Sequence, residues 1–182
     1  YARPTLFGMD QEVDVNEVVR AALNLLQNMV KKATSRFSVD YYPGVPIVRG
    51  NTHRLVQVVV NLVQNACQSL VRRDNALSVS VACDESCGSV KIIVKDEGEG
   101  IPQDKIKFIT DPFYTTRRDV GGTGLGLSVS SRIVKDHCGV LDVESQPGEG
   151  STFTLVLPAI IPAETDGADG GENDKPAPGR NP

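Results

Sequence analysis

Long apolar runs are missing from this chain. No stretch approaches the ~18 consecutive apolar residues of a membrane span, and the opening residues, Tyr1 to Gln11, lack the basic-then-apolar layout of a secretory leader. We therefore expect a cytoplasmic segment that makes no membrane contact of its own. Cysteine is scarce as well: four residues at 67, 83, 87 and 138 are too few and too irregularly spaced for a disulfide framework, so reduced thiols are expected. Cys83 and Cys87 have the spacing of half a metal site, but no second close pair exists and the two histidines, His53 and His137, are distant in sequence, so zinc is not expected. Positive charge is not in excess either. With 19 Lys and Arg against 23 Asp and Glu the net charge is −4, which argues against a nucleic-acid footprint and leaves a basic partner open. Two nucleotide signatures are also absent: there is no GxxxxGK[ST], and no GxGxxG leads from a strand into a helix, so neither a P-loop nor a dinucleotide fold is supported.

What is present suits one compact domain, with 40% hydrophobic residues among 182. Residues 163–182 stand apart. Glu164, Asp166, Asp169, Glu172 and Asp174 against Lys175 and Arg180 give them a net charge of −3, and they hold no aromatic or branched aliphatic side chain. Such a segment cannot bury enough surface to offset the entropy of ordering, so 161–182 is expected to be a disordered acidic tail or a linker.

Asp14 followed by Glu17 reads as a helix cap, and Val15, Val18, Val19, Ala22, Leu23, Leu26 and Val30 then recur at helical spacing, which predicts a helix over 15–32. Phe37, Val39 and Tyr41 alternate and predict a strand ending near Pro43-Gly44. Leu55, Val58, Val59, Leu62, Val63, Ala66 and Leu70 predict a second helix over 53–71. Two alternating runs, Leu77 to Cys83 and Val90 to Val94, predict an antiparallel hairpin. A third helix is expected from Gly124 to Cys138 with Gly139 as its stop, then a hairpin of 140–145 and 152–157. The fold class implied is α+β: a sandwich with helices on one face of a mostly antiparallel sheet.

Three polar features interrupt this pattern. Gln57, Asn61, Asn65 and Gln68 fall at steps of four, four and three and share one stripe of the second helix. A solvated face would explain such a stripe, yet amide oxygens also suit a hard cation such as Mg²⁺ without adding charge. At the end of a strand stands Lys95-Asp96-Glu97-Gly98-Glu99-Gly100-Ile101. It is either an ordinary turn or a place where Asp96 accepts from an exocyclic amine while glycines let backbone approach a flat ligand. Third, Gly121-Gly122-Thr123-Gly124-Leu125-Gly126-Leu127 runs straight into a helix, so unpaired N–H groups and the positive helix end would meet an anion. Between the last two lies Asp111-Pro112-Phe113-Tyr114-Thr115-Thr116-Arg117-Arg118, an aromatic pair with two cations.

In this order the segments NLVQNACQ, DEGEGI, DPFYTT and GGTGLGLS resemble the N box, first glycine box, aromatic box and second glycine box of sensor histidine kinase ATP-binding domains. That family belongs to the superfamily that also holds the type II topoisomerase ATPases and the ninety-kilodalton heat-shock chaperones. The resemblance covers about residues 12–158 and implies the Bergerat fold, a two-layer sandwich of a mixed, mostly antiparallel sheet with three main helices. It also implies a domain over 13–160, preceded by a linker remnant, 1–12, from phosphoacceptor helices.

Carried over by position, the resemblance implies that Asn65 coordinates Mg²⁺ with Asn61 beside it, and that Asp96 binds the adenine amino group. Gly98, Gly100 and Ile101 would shape the pocket. Gly122, Gly124 and Gly126 would surround the phosphates through their backbone, with Thr123 and Leu125 among them. Phe113 would anchor a lid, Thr115 and Thr116 would follow it onto the nucleotide, and Arg117 would approach the γ-phosphate. Gln68 joins the nucleotide-contacting set, although many members have a Lys and then an aromatic ring where this chain has Gln68 and Ser69, so Arg72 or Arg73 is a candidate replacement cation. The short lid, Arg117 to Gly121, suggests a small closure.

ATP-hydrolysing relatives carry a Glu where this chain has Asn61, which cannot act as a base. The expected activity is thus transfer of the γ-phosphoryl group from ATP·Mg²⁺ to a histidine on a separate dimerisation and phosphoacceptor domain of the same kinase, with a response regulator receiver domain downstream. Neither His53 nor His137 sits in the His-Glu/Asp-xxx-Pro setting of an acceptor, so both read as structural, and the fragment is expected to be monomeric. The alternatives are an ATPase of the same fold that drives a conformational change, a degenerate nucleotide-binding interaction module, and a related serine kinase acting on anti-sigma factor antagonists.

Overall fold

Asp14 closes one element and opens the next. The computed structural model describes residues 11–84, 86, 88–114 and 124–160. Along the chain these form β1 (Gln11–Asp14), α1 (Val15–Ala33), β2 (Arg36–Asp40), β3 (Ile47–Gly50), α2 (Thr52–Ser69), β4 (Ala76–Asp84), β5 (Ser89–Asp96), α3 (Gln103–Ile106), α4 (Gly126–Asp136), β6 (Val140–Gln146) and β7 (Gly150–Pro158). Asp14 pairs with Ile47 across β1 and β3, while its carboxylate accepts the Asn16 N–H at 2.8 Å and so caps α1. Asn51 does the same for α2, accepting the Arg54 N–H at 3.1 Å.

Both long helices bury the faces that their periodicity predicts. Val15, Val18, Val19, Ala22, Leu26 and Val30 of α1, and Leu55, Val58, Val59, Leu62, Val63 and Ala66 of α2, are buried. They lie in one core with Leu77, Val79 and Val81 of β4, Val90, Ile92 and Val94 of β5, and Phe153, Leu155 and Leu157 of β7. The main sheet has the order β2-β4-β5-β7-β6. β2 runs parallel to β4 and every other pair is antiparallel, so the α+β sandwich with three main helices is the observed architecture. No helix among the described residues is long and apolar enough to cross a membrane.

Four local features depart from expectation, the first being the four-residue α3, which the sequence pattern does not predict. β1 and β3, a two-stranded ribbon, were not predicted, since runs of four residues offer too little alternation to detect. The first strand stops at Asp40, and its apolar Phe37 and Val39 stay partly exposed on a sheet edge. α4, expected to run from Gly124 to Cys138, is shorter, and its left-handed cap is Cys138 (φ 56°) rather than Gly139. The Cys138 N–H donates to Lys135 O at 3.0 Å and the Gly139 N–H to Val134 O at 2.9 Å, the two bonds of a Schellman cap displaced by one residue from the glycine. Cys67 and Cys138 are free thiols. Cys87, residues 1–10 of the expected linker 1–12 and the expected tail 161–182 lie outside the described residues, while Gln11 and Glu12 belong to β1.

Candidate functional site

Strand alternation decides where Asp96 goes. Along β5 the helix-facing positions are Val90, Ile92 and Val94, and the next in that series is Asp96, which places a carboxylate at the end of a core-facing row with only 2% of its surface exposed. Its Oδ1 accepts the Gly98 N–H at 2.9 Å and faces Ser69 Oγ, at the end of α2, at 2.6 Å. Gly98 is required by this closeness: a Cβ there would collide with Ser69 Oγ and lie 2.6 Å from Asp96 Oδ1.

The loop after Asp96 is tied down at every step. The Glu97 carboxylate accepts from Ala76 N at 2.8 Å and Arg36 Nη1 at 3.2 Å, and the Glu99 N–H donates to Ser69 O at 3.0 Å. Gly100 takes φ +68°, open to glycine at little cost, and the Ile101 N–H donates to Ser145 Oγ at 2.8 Å. Ser145 in turn donates to Gly150 O at 2.8 Å, so the β6–β7 hairpin backs the loop. Asp96 therefore sits in a fixed frame.

Asn61 meets the other end of the site. Its Nδ2 donates to Gly126 O at 3.2 Å and to Ser130 Oγ at 3.1 Å, joining α2 to the first turn of α4. Leu125 stands at the cap position of that turn, and its own side chain makes no capping hydrogen bond. The positive end of the α4 dipole lies at this turn, next to Gly124. Asn65 lies half-buried one turn along α2 from Asn61, and Ser69 one turn further, at Asp96. Eight residues at 1.5 Å each make Asn61 and Ser69 about 12 Å apart along one helix stripe.

The remaining predicted residues divide. Gln68 is exposed and lines a cleft of about 420 Å³ against α1 with Asn28, Met29, Lys32, Ala33 and Cys67. The N-box side chain that reaches Asp96 is Ser69, which sequence reasoning passed over as a missing ring; its step of four from Asn65 was the available signal. Phe113 is 65% exposed with φ 67°, whereas Tyr114 packs against the core and lies 6.1 Å from the Phe108 ring. The Phe113 N–H donates to Gly124 O at 3.1 Å. Thr115, Thr116, Arg117, Gly122 and Thr123 lie outside the described residues, as does the short closure expected between Arg117 and Gly121.

Arg72 and Arg73, the candidate replacement cations, are engaged elsewhere. Arg72 grips Asp74 through two bonds of 3.0 and 2.9 Å, and Arg73 donates to Lys31 O at 3.0 Å. His137 is buried: its Nε2 accepts the Asn51 N–H at 3.0 Å, so Nδ1 carries the proton and donates to Ile133 O at 2.7 Å. His53 is exposed in the first turn of α2. Burial pushes the Cys67 thiol up to about 11, and the negative charge of neighbouring Asp96 adds to the shift.

Residues 50–161 match the family described as histidine kinase-, DNA gyrase B-, and HSP90-like ATPase. Over 159 residues the chain is 37% identical to sensor histidine kinase ZraS of Escherichia coli (strain K12), covering 87% of this chain and 33% of that protein. Over 156 residues it is 34% identical to sporulation kinase E of Bacillus subtilis (strain 168), covering 86% of this chain and 21% of that protein. The chain thus spans a third or less of these relatives. The solved catalytic domain of histidine kinase ThkA, in a nucleotide-free form, superposes with a TM-score of 0.71 at 28% identity, over 81% of this chain and 96% of that one. The match encloses both Asn61 and Asp96 and continues past Gly126: this chain belongs to the family of histidine kinase-, DNA gyrase B- and HSP90-like ATPases, as an ATP-binding catalytic domain of the sensor histidine kinase type.

Proposed function

We propose that ATP lies along the α2 stripe, its adenine amino group donating to Asp96 and its phosphates at the start of α4, and that the γ-phosphoryl group passes to a histidine on a separate phosphoacceptor domain. The observation that carries this reading is the single row Asn61, Asn65, Ser69, whose ends touch the first turn of α4 and Asp96. Glycine-loop N–H groups, the positive end of α4 and Arg117 would gather the phosphates, and the acceptor imidazole would attack in line.

Mg²⁺ fits this arrangement. Among the described residues no cluster of three His, Cys, Asp or Glu side chains exists to cage a metal. A divalent ion would take its oxygens from the phosphates and from the half-buried amide of Asn65, the usual style for Mg²⁺ in nucleotide sites, and would neutralise phosphate charge when bound. Asn61 supports transfer over hydrolysis. Both its amide hydrogens are directed at α4, and a neutral amide takes no proton from water. A response regulator receiver domain would then draw phosphate from the acceptor.

The test is calorimetry of ATP·Mg²⁺ with the chain and with Asp96→Asn, followed by addition of an acceptor domain and assay for acid-labile, base-stable phosphate. Binding lost in the variant and label on the acceptor are expected. Binding with hydrolysis but no label would indicate an ATPase, and no binding at all a degenerate module.

A further inference from the structure

We propose that Ser69 positions the base-recognising carboxylate and thereby sets the selectivity for adenine. The inference rests on the reading of Asp96 as the adenine site and deepens it. Ser69 stands where many members of the family carry an aromatic ring, and in this chain it holds the pocket by a different means. Its Oγ lies 2.6 Å from Asp96 Oδ1, while its backbone carbonyl accepts the Glu99 N–H at 3.0 Å, so one residue fixes both the carboxylate and the loop beyond it. The hydroxyl has a single hydrogen and two acceptors within reach, Asp96 Oδ1 and Ala66 O at 2.7 Å. The ionised carboxylate is the stronger acceptor and takes it.

With the Gly98 N–H also on Oδ1, the carboxylate carries two donors on one oxygen, and its rotation about the Cβ–Cγ bond is fixed. An exocyclic amine donates along a narrow direction, so recognition of adenine over a purine lacking that amine depends on this rotation being set before the ligand arrives. Gly98 completes the arrangement, since any larger residue would push Ser69 and Asp96 apart. Ser69 acts through Asp96; it is a positioning residue, not one that the base itself need touch.

The experiment compares, on the full chain, the affinities of ATP and of purine riboside triphosphate, the same nucleotide without its 6-amino group, for the native protein, Ser69→Ala, Ser69→Thr and Asp96→Asn. A hydrogen bond to a charged group is worth a factor of about 10 to 150, which sets the discrimination expected of the native protein. Ser69→Ala should reduce that ratio by about fivefold or more through weaker ATP binding alone, and Ser69→Thr, which keeps the hydroxyl, should restore it. Because both ligands are measured on the same variant, a change in folded fraction cancels in the ratio. An unchanged ratio in Ser69→Ala, or equal losses for both nucleotides, would overturn the proposal while leaving Asp96 in place. If the native protein fails to discriminate, or Asp96→Asn binds ATP normally, the adenine reading of Asp96 itself fails and the role of Ser69 falls with it.

Discussion

Asn61→Ala should loosen the first turn of α4 and weaken the protein measurably. The side chain makes two hydrogen bonds, to Gly126 O at 3.2 Å and to the fully buried Ser130 Oγ at 3.1 Å, and both vanish in the variant. At about 0.5–1.5 kcal/mol each, their loss amounts to about 1–3 kcal/mol. Part is recovered, because Ser130 is four residues after Gly126 and its hydroxyl can turn back onto that carbonyl, so the net expectation is about 1–2 kcal/mol. Gln57→Ala is the control: it lies on the same stripe but is exposed, and should cost less than about 0.5 kcal/mol. Urea denaturation should show a lower midpoint for Asn61→Ala with an unchanged slope. Amide exchange in the first turn of α4 should quicken by about 5- to 30-fold, and ATP affinity should fall with it, since that turn is where the phosphates are proposed to bind. Equal stability of the two variants, with unchanged exchange in Gly126 to Ser130, would show that the Asn61 bonds do not hold this turn.

Gly98→Ala should abolish ATP binding by calorimetry, since its methyl group would occupy the space between Ser69 Oγ and Asp96 Oδ1; retained affinity would mean that the loop can yield. The Arg54–Asp136 pair, 2.6 Å apart and partly buried, ties the start of α2 to the end of α4, and a double-mutant cycle should give it about 1 kcal/mol after allowance for solvent screening. Cys67 makes stability depend on alkaline pH. Its thiol is raised from 9.0 to about 11, so the folded state favours the neutral form; this contribution is complete below about pH 9 and disappears as the pH rises through 11. Cys67→Ala should accordingly have a flatter urea midpoint over that window, and an identical alkaline slope in both proteins would contradict the shift.

The sequence revealed elements wherever a long pattern repeats and failed where the deciding contact is remote. α1 and α2 were legible because 19- and 18-residue helices bury one face apiece and carry Asp14 and Asn51 at their starts. The β1–β3 ribbon was not, because its pairing of Val13 with Val48 is set by tertiary packing rather than by either short segment. Glycine suits a left-handed cap, which makes Gly139 the natural helix stop, but Cys138 takes that conformation. The glycine is needed one residue later, where a Cβ would lie 2.5 Å from Val156 O.

The site follows the same rule at finer scale. The residue types were readable, since amides on one helix stripe and a carboxylate before glycines stand out against an apolar pattern. Their partners were not, because Asn61 meets Gly126 across 65 residues and Ser69 meets Asp96 across 27. A helix converts this into a ruler: steps of four keep Asn61, Asn65 and Ser69 within about 40° of one line, at about 6 Å intervals. Position 68 falls about 100° from position 69 on the helix, which is why Gln68 faces α1 while the smaller Ser69 meets the carboxylate. A Lys and a ring at 68 and 69 would have announced a nucleotide site more loudly. The serine accomplishes the positioning with one hydroxyl, whose significance depends on a strand that alternation turns toward it.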